Sequence, residues 1–286
     1  MSDTTFPDTA VAETPPARSG REIIFRHSLV VRITHWINVA CISLLLMSGL
    51  QIFNAHPMLY WGQTGADSEK PFIAMVADNW RSPHPQGLTR IGGLTFHTTG
   101  LLGVSGGEVR GFPAWATLPA NRNLALARNW HFFLAWTFVI NGGLYLIYNA
   151  ANGHLRRDLA PTREQLRPSH IWRDILDHLR LKHPVGEDAK HYNVLQKLTY
   201  LAVVFVLLPM MVATGLTMSP GFDAFAPWLL DLFGGRQSAR TLHFLTANLI
   251  VLFVIVHVVE VFIAGVSNEI GSMITGRYTI KTGEQP

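Results

Sequence analysis

Cysteine is almost missing from this sequence: Cys41 is the one thiol in 286 residues. That excludes an intramolecular disulfide and the Cys-X-X-Cys-His run that attaches haem covalently. Charge is scarce too, at 15% of residues, whereas 48% are hydrophobic. The sequence lacks a phosphate-binding loop, a dinucleotide-binding glycine fingerprint, a Ser-His-Asp order and a metal-hydrolase motif. Its modest positive balance, +4 at neutral pH, comes without a basic patch interleaved with aromatics, so nucleic acid is not an expected partner. The first two dozen residues have no apolar core and are rich in Pro, Thr, Ala and Asp. Residues 1–26 are therefore expected to form a disordered tail, and not a signal peptide.

Long apolar runs are what the chain has in quantity. Four of them, at about 30–53, 130–150, 194–218 and 242–266, are long enough to cross a bilayer. They lack the amphipathic stripes of a water-soluble bundle. The expected fold is an all-α membrane protein, a four-transmembrane-helix bundle within residues 27–270 followed by a tail at 271–286. Lys and Arg give its orientation. The connection between spans two and three carries Arg156, Arg157, Arg163, Arg167, Arg173, Arg180, Lys182 and Lys190, and the N-terminal flank adds Arg18, Arg21, Arg26 and Arg32. The first connection is much longer but carries only six basic residues. Both termini and the second connection are thus expected in the cytoplasm, with the long loop between helices 1 and 2 outside.

Thirteen histidines occur, and depth separates them. Most fall in tails, connections or span ends, where solvation accounts for them. His35, His131, His243 and His257 fall inside predicted spans. His243 and His257 lie fourteen residues apart, which on a helix puts them about 40° apart in direction and about 21 Å apart along the axis. The alternating directions of the spans then set His35 level with His257 near the cytoplasmic side, and His131 level with His243 near the outer side. An imidazole in hydrocarbon needs a hydrogen bond, a proton or a metal. One such histidine would be read as an interhelical hydrogen-bonding residue, but four at two matched depths point to two bis-histidine b haems held between helices. Zinc fits less well, because each level offers two ligands where about four are usual. Gly49, Gly142, Gly143, Gly215, Ala135 and Ala247 are small enough to admit a porphyrin.

Several runs resemble the bacterial di-haem cytochrome b family, the membrane subunits of nickel–iron hydrogenases, formate dehydrogenases and thiosulfate reductases. They are Arg32-Ile33-Thr34-His35-Trp36, Arg128-Asn129-Trp130-His131, Leu242-His243 with His257, and Tyr192-Asn193-Val194-Leu195-Gln196-Lys197. The resemblance spans about 20–275. It implies that the four histidines ligate two haem b groups, and that a quinone pocket involving Tyr192, Asn193, Gln196 and Lys197 adjoins the inner one. The long first connection departs from the hydrogenase version and looks more like cytochromes paired with molybdenum oxidoreductases.

Other residues extend this reading. Arg32 and Arg128, each three positions before a histidine, are expected to neutralise haem propionates. Glu260, one turn beyond His257, is a candidate proton relay for quinone chemistry. Residues 161–180 read as an amphipathic helix on the cytoplasmic surface, with Ile171, Ile175, Leu176 and Leu179 on its apolar face. The apolar stretch 87–107 is broken by glycines and is not counted as a span. The long loop is expected to cover the outer haem and to dock a periplasmic redox subunit, such as a molybdenum oxidoreductase or hydrogenase. The expected function is electron transfer between quinone and that subunit. The alternative is a stand-alone haem oxidoreductase acting on oxygen species or ferric chelates.

Overall fold

A computed structural model describes residues 20–65, 69–153, 160–179 and 194–282 of the chain. Helix α1 (Leu29–Phe53) starts where Ser28 accepts a hydrogen bond from the Val31 amide at 3.4 Å. Helix α2 (Leu124–Ala151) starts where Asn123 accepts from Leu126 at 2.9 Å, each cap filling an amide left open in the first turn. A short helix α3 (Pro168–Leu179) follows. The third span runs through α4 (Val194–Ala202), a π-helical turn (Val203–Leu207) and α5 (Leu208–Thr217). Pro209 explains the wider turn, because its ring would clash with the carbonyl four residues earlier and it has no N–H to donate. Helices α6 (Pro220–Phe225) and α7 (Pro227–Leu232) lead into α8 (Arg236–Thr275). Four stretches are long and apolar enough to cross a membrane: Leu29–Phe53, Leu124–Ala151, Val194–Thr217 and Arg236–Thr275. All four predicted spans fall on them.

Helix α8 is interrupted at Gly265, whose backbone (φ 113°, ψ 92°) is closed to most L residues. A straight helix would carry Met273 about 24 Å past His257. Instead the Met273 carbonyl accepts from Trp36 Nε1 at 3.1 Å, beside His35, so the helix end folds back across the start of α1. It continues into β8 (Arg277–Thr282), which pairs antiparallel with β1 (Gly20–Phe25), with Phe25 opposite Arg277. Two expectations are corrected here. The tail expected to be disordered to residue 26 is a strand from Gly20, and the tail expected from 271 is helix and strand as far as Thr282. Each strand supplies the other's backbone partners, a pairing between the chain ends that no local pattern announces.

The loop between α1 and α2 also corrects the all-α expectation. It holds an antiparallel sheet of β2 (Met58–Leu59), β3 (Ile73–Asp78), β4 (Gln86–Ile91) and β5 (Leu94–His97), in that order. A second hairpin pairs β6 (Gly103–Ser105) with β7 (Glu108–Arg110). Gly92 and Gly93, with φ of 56° and 101°, make the two-residue turn that joins β4 to β5. Of the glycines that broke up the 87–107 stretch, Gly92–Gly93 and Gly106–Gly107 are hairpin turns, whereas Gly87 and Gly103 lie in strands. The expected helix over 161–180 is helical from Pro168, a residue suited to the first turn because its missing amide proton is not needed there.

The β domain sits on the bundle end farther from the chain termini. Buried Phe53, Leu59, Ile73 and Met75 form its core, joined by Phe72, Leu102, Phe112, Phe244 and Leu245. The Gly62 carbonyl accepts from the amides of Gln237 and Ser238, at 3.0 and 3.1 Å, and so caps α8. Thr241 donates to the Tyr60 carbonyl at 2.6 Å, and Arg240 to that of Met58 at 2.8 Å. Arg110 is buried and donates to the Phe112 carbonyl at 2.7 Å and to Thr117 Oγ1 at 3.1 Å.

Candidate haem sites

The four span histidines meet in the two pairs that depth assigns. His35 of α1 faces His257 of α8, with ring centroids 6.4 Å apart and planes at 71°. His131 of α2 faces His243 of α8, with centroids 6.3 Å apart and planes at 64°. An iron midway between two imidazoles, with bonds of about 2 Å and each nitrogen about 1.1 Å from its ring centre, would set the centroids about 6.2 Å apart. Both pairs have the separation that bis-histidine haem iron requires, and the residues fit the group. Among the described residues no three of His, Cys, Asp and Glu gather as a metal-ion cluster.

The two levels are built differently. Near the termini, the edge of Trp36 meets the His35 ring at 5.6 Å, and Phe253, one turn before His257, stacks on it at 5.9 Å. At the loop end, hydroxyl groups take the place of aromatics. Ser48 Oγ lies 3.0 Å from His131 Nδ1, and Thr214 Oγ1 lies 3.0 Å from His243 Nδ1. Both side chains are buried. A glycine follows each hydroxyl residue. A Cβ on Gly49 would sit 3.3 Å from His131 Cε1, and one on Gly215 would sit 3.4 Å from His243 Cε1. Gly49 and Gly215 therefore leave room for the imidazoles, whereas nothing lies within 4 Å of a Cβ built on Gly142 or Gly143. Ser48 and Thr214 did not emerge from sequence reasoning. Their signal was the Ser/Thr-Gly-Leu run shared by spans one and three at 48–50 and 214–216.

The two arginines have different surroundings. Arg32 donates to the Ile274 carbonyl in the folded-back end of α8, and its Nε is buried without a hydrogen-bond partner. Arg128 is exposed and lies over the Phe132 ring at 5.7 Å. Of the quinone-pocket candidates, Tyr192 and Asn193 lie outside the described residues. Lys197 is buried near the start of α4, its Nζ 3.4 Å from Gln165 Oε1. Gln196 and Glu260 are half-buried. The Val194 amide donates to Asp174 Oδ2 at 3.3 Å, which docks α3 on the start of α4. His97 is exposed on β5, and Cys41 is buried in α1.

The profile of the prokaryotic cytochrome b561 family matches residues 26–276. The chain is also 29% identical, over 243 residues, to the putative protein-methionine-sulfoxide reductase subunit YedZ1 of Azospira oryzae, covering 84% of this chain and 92% of the relative. No solved structure matches it.

Proposed function

The chain belongs to the prokaryotic cytochrome b561 family, and from that premise we propose that it carries electrons across the bacterial inner membrane through two b haems, between quinone and a periplasmic redox subunit. Family and relative together make it a multi-pass bacterial membrane protein and a haem-dependent electron-transfer subunit. The finer reading assigns His35 and His257 to one haem and His131 and His243 to the other. The observation that carries it is the pair of ring separations, 6.4 and 6.3 Å. Bound haem supplies reversible one-electron chemistry, its potential tuned by ligands, hydrogen bonds and burial.

The chain's own residues give that chemistry two ends. Excess Lys and Arg on the N-terminal flank and in the second connection support cytoplasmic termini. Lys197 and Gln196, near the start of α4, and Glu260, one turn after His257, are the side chains assigned here to binding quinone and moving its protons. Tyr192 and Asn193 complete the same motif in sequence. Arg32 and Arg128, each three residues before a histidine, are the cations assigned here to haem propionates. At the other end the β domain seats Phe244, next to His243, in its core. This supports a covered haem served by a docked protein over a stand-alone oxidoreductase open to oxygen species or ferric chelates. The relative is named as a reductase subunit, which supports a catalytic reductase as the partner.

Proteoliposomes test this function. Quinol in the bilayer should reduce ferricyanide confined to the β-domain side of the protein, and His243→Ala should abolish the transfer. Transfer unaffected by that substitution would overturn the proposed path.

A further inference from the structure

We propose that Ser48 and Thr214 are paired positioning residues: they fix the tautomer and ring plane of His131 and His243 and hold the loop-end haem at a lower potential than its ligands alone would give. The inference rests on the reading that this pair ligates haem. Each hydroxyl has one proton, and the helix claims it. Ser48 donates to the Leu44 carbonyl at 2.8 Å, and Thr214 to the Met210 carbonyl at 2.6 Å. Toward the imidazole the oxygen is therefore an acceptor, so Nδ1 carries the ring proton and Nε2 keeps its lone pair for iron. A carbonyl-anchored hydroxyl leaves the opposite tautomer, which cannot ligate through Nε2, without a donor.

The arrangement occurs twice, on α1 facing α2 and on α5 facing α8, each time as hydroxyl, glycine, leucine. Gly49 and Gly215 let the rings come close enough for the contact, as the 3.3 and 3.4 Å approaches to Cε1 show. At the other level no hydrogen bond reaches the ring nitrogens of His35 or His257 from the described residues; those rings are held by Trp36 and Phe253. The asymmetry matters for electron transfer. A hydrogen bond accepted from Nδ1–H pushes electron density onto the ligating nitrogen, which favours ferric over ferrous iron and lowers the potential. The same bond fixes ring rotation, and with it the 64° angle between the planes.

The test is a potentiometric titration with parallel low-temperature EPR on the purified full chain, comparing wild type with Ser48→Ala, Thr214→Val and the conservative Ser48→Thr and Thr214→Ser. In Ser48→Ala and Thr214→Val, one of the two midpoints should move upward and one of the two low-spin ferric signals should broaden or shift. The other haem serves as an internal reference, and the conservative variants should restore both readouts. Selective loss of one haem from Ser48→Ala, reversed in Ser48→Thr, would equally support the positioning role. Two haems in wild type with midpoints and signals unmoved in both variants would overturn this inference alone, as would equal shifts of both haems. Fewer than two haems in wild type would overturn the two-haem reading, and the inference with it.

Discussion

Phe244 stacks on Phe53, with ring centroids 4.9 Å apart and planes 26° from parallel. One ring follows His243 in α8 and the other ends α1, so a single aromatic contact ties the loop-end histidine pair to the β-domain core. Phe112, from the far side of the loop, meets Phe53 at 5.5 Å.

Phe53→Ala should therefore loosen the β domain and the loop-end site together. Removing a buried phenylalanine costs about 3–5 kcal/mol when the cavity does not collapse. Limited proteolysis in detergent should show faster cleavage within 58–110, with retention of the haem at His35 and His257. Unchanged cleavage would separate the β domain from the bundle end.

Arg110 is the polar counterpart of that aromatic contact. Its guanidinium bonds the Phe112 carbonyl and Thr117 and lies 3.6 Å from Glu108. Arg110→Met should destabilise the loop by about 1–3 kcal/mol, because buried acceptors lose their donor. Thermal unfolding should show the loss, whereas Glu108→Gln, at an exposed partner, should cost under about 1 kcal/mol.

The ribbon of chain ends predicts a dependence on alkaline pH. Arg26 lies 4.4 Å above the Tyr278 ring and 4.0 Å from Glu269. Burial first, and then the Glu269 carboxylate, raise the Tyr278 phenol above its ordinary value of 10.0. The folded ribbon thus favours the neutral phenol. Its contribution is complete below the unfolded value and is lost as pH rises through the higher folded one. Between pH 8 and 11 the melting temperature of wild type should fall more steeply than that of Tyr278→Phe. Superimposable curves would refute the coupling.

The spans and histidine pairs could be read from sequence because hydrocarbon enforces simple rules. Every backbone group must bond within its helix, and an imidazole must find a partner at its own depth. The β domain was also written there, as Gly92–Gly93 and Gly106–Gly107 between short strands, but hairpin glycines and a broken apolar run look alike until the strands pair. Pairing of β1 with β8 joins residues about 260 positions apart, beyond any local pattern. Ser48 and Thr214 were hidden for another reason. A hydroxyl bonded to its own helix is ordinary in a span, and only the neighbouring helix reveals the imidazole beside it.

The two-haem arrangement is tested most directly by haem stoichiometry, measured as pyridine haemochrome on purified wild type, His243→Ala and His35→Ala. About two b haems per chain should be found in wild type and about one in each variant, with a different spectral component lost from each. One haem in wild type, or two surviving in either variant, would contradict it.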